Sequence, residues 1–272
     1  MARSVPKGIA TKKAVALELG IARSSLYYQK KIPERDLLLL AEIKQVLKLH
    51  PSYGYRRTAQ HLGLNKKRVQ RVMQATHLKP YRRRGKKPEY IKNTSAVIYP
   101  NLVKGWFPSR KGEVWVSDFT YLRFHGYFVY LATVEDMYSR EVLGWHISTS
   151  HDAALTGSAL FHAVTYHQAP NILHSDHGSE YTAKSYTELA ESFGIHLSMS
   201  KKASPWENGY QESFYSQFKV DLGDPERFST LGELTEYIHL RIHIYNTYRI
   251  HSAFGMSPRQ NLNVVRQPAL VV

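Results

Sequence analysis

Short apolar runs and helical patterns alternate along the chain from residue 112 onwards. Two runs rich in β-branched and aromatic residues, 114–124 and 127–136, flank His125-Gly126, and this arrangement predicts a β-hairpin. Further strands are predicted over 141–148, 171–176 and 195–200, and helices over 152–168 and 184–194. Three strands in a meander, followed by alternating helices and strands, predict an α/β domain with a five-stranded mixed sheet and flanking helices.

The first 79 residues carry helical rather than strand periodicity. The segment 34–48 has the spacing of a core helix, and its apolar positions are Leu37, Leu38, Leu40, Ile43 and Leu47. On either side, residues 12–31 and 55–76 each show two helical stretches joined at a glycine, Gly20 or Gly63, which is the pattern of a helix-turn-helix. A small helical bundle with a solvated charged face gives the same patterns, so both interpretations stay open.

Basic residues are concentrated in this part of the chain. Residues 1–111 hold 26 Lys and Arg against 5 Asp and Glu, whereas residues 112–272 hold 11 against 17, so the net charge of +15 divides into +21 and −6. Such an excess favours a polyanionic partner, because each neutralised phosphate releases counterions; duplex DNA, RNA and an anionic membrane surface all fit. The candidate DNA contacts, chosen from helix position and basic clusters, are Arg23, Ser24, Lys67, Arg68, Arg71 and Arg83.

Composition also predicts domain organisation and location. Residues 80–111 combine basic clusters with four prolines and little periodicity, so we expect a basic linker there, between a helical region over 1–79, which is a candidate DNA-binding region, and an α/β domain with C-terminal helices over 112–272. The chain has no cysteine, which excludes disulfides and favours a reducing compartment. It has no apolar run of the roughly 20 residues that a membrane span needs and no visible signal peptide. We therefore expect a cytoplasmic protein.

Three acidic residues have positions that suit chemistry on phosphate. Asp118 lies in the first predicted strand, Asp176 ends the fourth, and Glu212 lies in a segment with helical spacing after Pro205. Strand ends collect site residues in such sheets. Carboxylate oxygens suit Mg²⁺, and two such ions stabilise the attacking and leaving oxygens of a phosphodiester. Each acid alone is as typical of a cap or a solvated loop, so only the combination indicates metal-dependent phosphoryl transfer.

Two further residues near Glu212 are candidates for contacts with DNA. Lys219 follows Glu212 by seven residues and Asn208 precedes it by four, so a helix would present all three on one face. A solvated surface lysine remains the alternative for Lys219. Asp136 is expected in a turn or in an ion pair with Arg140 rather than at a metal.

The motifs around these acids resemble those of a known family. Residues 114–272 resemble the integrase-like catalytic domain of insertion-sequence transposases of the IS3 group, which is also similar to retroviral integrase. The resemblance rests on WVSDFTY (115–121), DMYSREVLGW (136–145), HSDHGSEY (174–181), SPWENGYQESFYSQFK (204–219) and YNTYRIHSAFGMSP (245–258). The 35 residues between Asp176 and Glu212 match the family's spacing, and the segments 50–62 and 66–73 are similar to its upstream helix-turn-helix.

The resemblance implies an RNase H-like fold and a DDE transposase, a polynucleotidyl transferase that cleaves and joins strands at the ends of an insertion sequence. It implies that Asp118, Asp176 and Glu212 bind two Mg²⁺ ions, for which Mn²⁺ substitutes. It also implies a homo-oligomer on double-stranded DNA in the bacterial nucleoid, and fusion or cooperation with an upstream-frame product. One departure is Glu207-Asn208-Gly209, where many relatives have Asp-Asn-Ala.

Two other functions remain open at this stage. One is a DNA-binding protein without catalysis, and the other is a nuclease for RNA–DNA hybrids, which only the fold favours. Near the predicted site, Glu180 is a candidate supporting residue for Asp176, and His174 is a candidate hydrogen-bond partner of a carboxylate or a phosphate.

Overall fold

The computed structural model describes residues 12–20, 22–26, 34–81, 99–200 and 209–265. Its helices are α1 (Lys12–Glu18), α2 (Glu34–Leu49), α3 (Tyr55–His61), α4 (Lys66–Ala75), α5 (Ala153–Tyr166), α6 (Ser179–Thr182), α7 (Lys184–Ser192), α8 (Gly209–Leu222), α9 (Leu231–Thr247) and α10 (Pro258–Val265). Its strands are β1 (Val114–Phe124), β2 (Tyr127–Asp136), β3 (Val142–Ser148), β4 (Ile172–Ser175) and β5 (His196–Met199).

The strands form one mixed sheet in the order β3-β2-β1-β4-β5. The strands β1, β2 and β3 pair antiparallel, whereas β4 pairs parallel with both β1 and β5. The first hairpin turns at His125-Gly126, where φ is 42° and 90°, as a two-residue hairpin loop requires. The predicted five-stranded mixed sheet is confirmed, with strand ends within one residue of those expected.

Helices cover both faces of this sheet. On one face α5 packs closely against β3, because a Cβ at Gly144 would lie 2.3 Å from the carbonyl oxygen of Ala159. On the other face α8 and α9 bury an apolar cluster against β1–β3, in which Phe214, Phe218 and Ile238 take part. The helix α8 is thereby fixed over β1, and this places the segment that carries Glu212.

The helices α2, α3 and α4 form a separate small core. The buried face of α2 consists of Leu39, Ile43 and Val46, whereas Leu37 and Leu38 are 50% and 75% exposed. The core helix was thus predicted correctly, but the assignment of Leu37 and Leu38 to the core is wrong. Four consecutive leucines satisfy helical spacing in more than one register, and the contact with α4 decides which leucines are buried.

Only one of the two predicted helix-turn-helix patterns gives two helices in the described residues. The helices α3 and α4 are joined at Gly63, which has a φ of 63°, and Asn65 caps α4 by accepting a hydrogen bond from the backbone N–H of Lys67. In the other segment, α1 is followed by a 3₁₀ turn at Arg23–Leu26 in place of the second helix predicted there. Arg23 and Ser24 therefore lack the recognition helix on which they were expected to lie.

The helical region packs against the sheet domain through a buried ionic contact. Asp221 of α8 accepts a hydrogen bond from the backbone N–H of Ser52 at 3.2 Å and pairs with Arg249 at 2.9 Å and Arg241 at 3.7 Å. A further hydrogen bond of 2.7 Å joins the backbone N–H of Ile250 to the Tyr53 hydroxyl. In the part of the chain that the structure describes, no helix is both long and apolar enough to cross a membrane.

Candidate active site

Two of the predicted acids are brought together by adjacent parallel strands, since Asp118 lies in β1 and Asp176 directly follows β4. Val116 of β1 is paired with His174 of β4, so the residues two positions further on, Asp118 and Asp176, lie at the same edge of the sheet. The Asp176 carboxylate accepts a hydrogen bond from the backbone N–H of Gly178 at 2.9 Å, which fixes its orientation. The parallel pairing of β1 with β4 therefore brings together two carboxylates that are far apart in sequence.

Glu212 reaches this edge from α8. It lies in the first turn of that helix and is exposed, while its neighbour Gln211 is fully buried. The Gln211 side-chain amide donates to the carbonyl oxygen of Val116 at 2.8 Å, and its oxygen accepts from the Thr133 hydroxyl at 3.2 Å. One turn later, the Tyr215 hydroxyl donates to the carbonyl oxygen of Asp118 at 2.7 Å.

These hydrogen bonds join the helix of Glu212 directly to the strand of Asp118. Gln211 and Tyr215 are four apart and therefore share a face of α8, and both contact β1. Sequence reasoning missed both of them, together with Thr133. The signal in the sequence was the pair of polar residues at this spacing on a helix that otherwise packs through aromatic side chains.

Negative charge accumulates at this edge of the sheet. Burial raises the pKa of Asp118 well above its usual value; the charges of Asp176 and Glu212 add to the increase, and that of Lys219 opposes it. Burial also raises the pKa of Asp176, and the charge of Glu180 acts in the same direction. Asp176 and Glu212 thus both lie close enough to Asp118 to disfavour its negative charge, and a bound cation would relieve this effect.

The arrangement is open rather than a closed metal cage. Among the described residues, no three Asp, Glu or His side chains by themselves form a group that could hold a metal ion. Mg²⁺ is commonly held by one or two carboxylates, with water and substrate phosphates completing its coordination. Two adjacent aspartates with an exposed glutamate nearby offer hard oxygen ligands of that kind, so the residues fit a metal that is shared with DNA.

Glu180 is a buried carboxylate close to Asp176. It is buried, and its carboxylate lies 3.1 Å from Nδ1 of His151. A Cβ at Gly178 would lie 2.6 Å from Oε2 of Glu180 and 3.1 Å from Oδ1 of Asp176, so a glycine lets the two carboxylates approach the turn between them. Glu180 thus contributes to the electrostatics of Asp176, as expected of a supporting residue.

The other two polar candidates have structural roles. Asp136 accepts hydrogen bonds from the backbone N–H groups of Ser139 at 2.7 Å and Gly112 at 2.8 Å, which confirms its expected place in a turn. Nδ1 of His174 lies 2.9 Å from the hydroxyl of Ser198. This contact with a hydroxyl on β5 was not predicted, and hydrogen bonding of His174 to a carboxylate or a phosphate stays a prediction.

Lys219 lies near the three acids. Its ammonium nitrogen is 4.8 Å from the centre of the Tyr121 ring on β1, and its charge acts on Asp118. The exposed Tyr121 ring supports the lysine through a cation–π contact. Asn208, the other predicted DNA contact near Glu212, lies outside the described residues, and so does Arg83 of the basic linker.

The basic residues of α4 divide into two groups. Arg71 donates both to Oδ1 and to Oδ2 of Asp36, at 3.1 and 2.8 Å, and Arg68 lies 3.9 Å from the same carboxylate. These two arginines therefore help to hold α4 against α2, although both side chains remain about half exposed. Lys67 is exposed, and its side chain forms none of the ion pairs among the described residues.

The chain is similar to known proteins over most of its length. Residues 108–205 and 193–258 match two models of an integrase core domain. The chain is 32% identical to the 31 kDa protein of insertion element IS600 from Shigella sonnei, over 87% of this chain and 92% of that protein. It is 33% identical to the transposase of IS904 from Lactococcus lactis, over 80% of this chain and 90% of that protein.

The fold also has a counterpart among solved structures. A chain of the simian T-cell lymphotropic virus intasome matches with a TM-score of 0.50 and 16% identity, over 84% of this chain and 76% of that one. This likeness confirms the predicted RNase H-like fold. Together with the relatives above, it establishes that the chain belongs to the insertion-sequence transposases with a DDE integrase core domain, the polynucleotidyl transferases of DNA transposition.

Proposed function

We propose that this transposase cleaves and joins DNA strands at the ends of its element with two Mg²⁺ ions held by Asp118, Asp176 and Glu212. The observation that carries the proposal is the parallel pairing of β1 with β4, which puts the two aspartates at one sheet edge. The docking of α8 by Gln211 adds Glu212 beside them. The effect of both other carboxylates on the pKa of Asp118 supports the same grouping.

Each residue then has a separate task. When bound, the two cations would stabilise charge on the attacking and leaving oxygens. Tyr215 holds the backbone of Asp118, and the N–H of Gly178 orients the carboxylate of Asp176. Lys219, steadied by the Tyr121 ring, is placed to contact a backbone phosphate of DNA beside the reacting one. Such positioning supplies a large part of catalysis in phosphoryl transfer.

The partners follow from the division of charge along the chain. The net charge of +21 over residues 1–111 supports binding to double-stranded DNA by the helical region, with Lys67 of α4 among the contacts. We propose that the chain works on DNA as a homo-oligomer and together with an upstream-frame product. Light scattering on the chain, with and without element-end DNA and the upstream product, tests both points.

The decisive experiment compares variants in an excision assay. Both element ends are placed on a plasmid, and circles are counted for the wild type, Asp176→Asn and Glu212→Gln. Glu236→Gln is the matched control, because Glu236 is an exposed glutamate on α9, a helix of the same domain. We expect each site variant to lose at least about 100-fold in activity, while its DNA affinity and the activity of the control stay unchanged.

A second measurement tests the metal independently of activity. Mn²⁺ titrated into the protein with DNA should bind with the wild type and bind more weakly with Asp176→Asn, as electron paramagnetic resonance reports. Equal Mn²⁺ binding by both proteins, or full excision by either site variant, would place the metal elsewhere. Hydrolysis of an RNA–DNA hybrid with duplex DNA untouched would favour a nuclease instead.

A further inference from the structure

Two aromatic side chains are exposed together on the β1–β2 hairpin. Tyr121 of β1 is 59% exposed and Phe128 of β2 is 48% exposed, and their rings meet edge to face with centroids 5.3 Å apart. Neither ring belongs to a hydrophobic core cluster of the described residues. Single exposed aromatic residues are common, but adjoining ones form an apolar patch of the kind that marks a binding surface. We call Tyr121 and Phe128 the hairpin patch.

Half-buried rings support the hairpin patch from the same face of the sheet. Tyr130 lies directly opposite Tyr121 in the register of β1 and β2, and both Tyr130 and Phe119 pack against the core beneath α5. The imidazole of His151 lies 4.9 Å from the Tyr130 ring and 6.1 Å from the Phe119 ring, centroid to centroid. The two exposed rings therefore stand on a packed aromatic layer of the sheet.

The hairpin patch lies close to the three acids along the same strand. β1 pairs with β4 only over Val114–Val116, so among the described residues the rest of that edge of β1 has no strand beside it. Tyr121 follows Asp118 by three residues, which is about 10 Å along a strand. About three nucleotides cover this distance, at about 3.4 Å each. A DNA strand held at the carboxylates can therefore reach the patch along the open edge of β1.

Basic side chains flank the hairpin patch. Lys219 comes from α8, on the other face of the sheet, yet its ammonium nitrogen is 4.8 Å from the centre of the Tyr121 ring, so it reaches the ring around the open edge of β1. Arg123 lies opposite Phe128, and its exposed ion pair with Glu226, at 3.7 Å, is of a kind that contributes little to stability. Aromatic rings between cations match the bases and phosphates of a nucleic-acid strand, whereas an apolar protein surface would have to desolvate both charges.

We propose that Tyr121 and Phe128 form a stacking platform for unpaired bases of the DNA strand that is processed at the three carboxylates. Every base has a π-face, so such a platform accepts any sequence, but it needs bases that are free of their duplex partners. Lys219 and Arg123 then contact the phosphates on either side of the stacked bases. The inference rests on the proposed function for the identity of the strand, and it adds that this strand is unpaired beside the site.

The test compares DNA probes that differ only in their bases. An element-end duplex carries a single-stranded tail of about five nucleotides, within the range of known single-strand sites, at its 3′ or its 5′ end. In one form the tail has normal bases, and in the other each tail position is an abasic sugar. Binding by the full chain is followed by fluorescence anisotropy in EDTA, where no metal-dependent cleavage occurs. Both forms offer the same phosphates, so a difference in affinity reports the bases.

The variants remove one ring at a time and keep an apolar side chain. They are Tyr121→Leu and Phe128→Leu, and Tyr121→Phe keeps the ring. Because Tyr121 also contacts Lys219, a lost phosphate contact would weaken binding of both tails, whereas lost stacking weakens binding of the normal tail alone. Phe161→Leu is the matched control, because Phe161 is 58% exposed on α5, outside the hairpin patch.

We expect the wild type to bind the normal tail of one polarity about 10-fold more tightly than the abasic tail, and both leucine variants of the patch to lose most of this difference. Tyr121→Phe and Phe161→Leu should keep it. Equal affinity of the wild type for the two tails, or an unchanged difference in both leucine variants, would overturn the proposal. If a leucine variant keeps the difference but light scattering shows a monomer in place of an oligomer, the patch contacts a second copy of the chain instead.

A measurement on the wild type covers the case in which a leucine variant fails to fold. 5-Iodouracil in the tail, irradiated in the complex, should attach to Tyr121 or Phe128, as mass spectrometry of the peptides reports; attachment to other residues alone counts against the platform. The proposed reaction is judged separately, because Asp176→Asn should abolish cleavage in Mg²⁺ without weakening the binding of the normal tail. Cleavage by Asp176→Asn rejects the reaction and leaves the base-dependent binding as measured, whereas binding without base dependence rejects the platform alone.

Discussion

The hydroxyl of Tyr215 offers the sharpest test of how the candidate site is built. Replacing Tyr215 with Phe keeps the ring among its buried neighbours in the cluster beneath α8 but removes one oxygen. That oxygen donates to the carbonyl of Asp118 at 2.7 Å and lies 2.8 Å from the Thr133 hydroxyl. The change therefore removes one of the two hydrogen-bonded links between the helix of Glu212 and the strand of Asp118 without emptying the core, and the link from Gln211 to Val116 remains.

The expected loss of stability follows from the buried polar groups that lose the Tyr215 hydroxyl as a partner. A buried polar group without its partner costs about 1–3 kcal/mol, and both the Asp118 carbonyl and the Thr133 hydroxyl lose a partner. Thr133 retains Gln211, at 3.2 Å, so its loss is partial. We expect Tyr215→Phe to lower the free energy of unfolding by about 2 kcal/mol. Strand cleavage should fall about tenfold, since small displacements at a reacting centre have large effects on rate.

The assay combines denaturant unfolding with single-turnover cleavage well below the melting temperature. Thr133→Val and the double variant complete a cycle, in which we expect a coupling energy of about 1 kcal/mol. Tyr237→Phe is the matched control, because Tyr237 packs against the same cluster and the structure gives its hydroxyl no hydrogen bond among the described residues. That variant should keep both stability and rate.

Two results would refute this reasoning. If Tyr215→Phe unfolds at the wild-type denaturant concentration, the hydroxyl stabilises nothing. If it loses stability but cleaves at the wild-type rate, the hydrogen bond holds the fold and not the geometry of the site.

Three further predictions concern stability. Asp221→Asn should lower the free energy of unfolding in denaturant by about 3–5 kcal/mol, because it leaves two arginines buried without a counter-charge. The control Asp224→Asn, at an exposed helix cap, should change that free energy by less than about 0.5 kcal/mol. Gly144→Ala should lower the melting temperature, because its Cβ would lie 2.3 Å from a backbone atom of α5. Gly157→Ala should raise the melting temperature, because alanine favours the helix and its Cβ would have an ordinary contact of 3.5 Å. A higher melting temperature for Gly144→Ala than for Gly157→Ala would contradict the close packing of α5 on β3. Burial lowers the pKa of His50 to about 4 in the folded state. The folded state therefore binds fewer protons than the unfolded state between pH 6.5 and 4, and stability falls as the pH falls, by up to about 3 kcal/mol; His50→Phe should flatten that part of the urea–pH profile.

The sheet was predictable from the sequence because its pattern is local. Alternation of β-branched residues and the His125-Gly126 turn need no knowledge of distant neighbours. The exposed face of α2 was not predictable, since Leu37 to Leu40 fit several registers and only the contact with α4 selects one. The missing second helix after Gly20 is a similar case: the sequence allowed a helix, but the described residues form a 3₁₀ turn.

The candidate site likewise contains residues that were predictable from local sequence and residues that depend on distant contacts. The three acids were identified by motif and spacing, whereas Gln211 and Tyr215 contribute through hydrogen bonds to residues about 95 positions earlier in the chain. Arg71 shows a contact that the sequence did not reveal. Its basic character predicts a DNA contact, and its guanidinium also pairs with Asp36 of another helix, while the side chain remains half exposed. Sequence reveals the type of a charged group, but its partner is known only once the chain has folded.

The helix α8 joins these observations. One face, through Gln211 and Tyr215, is bonded to the strand of Asp118, and the exposed Glu212 lies beside this face. Three turns on from Gln211, Asp221 is bonded to Ser52 of the helical region. A displacement of the helical region on binding DNA would therefore act on α8 through Asp221, beside the contacts of the same region with Arg241 and Ile250. Because α8 also carries Glu212, the Asp221 contact bears on the position of that carboxylate as well as on stability.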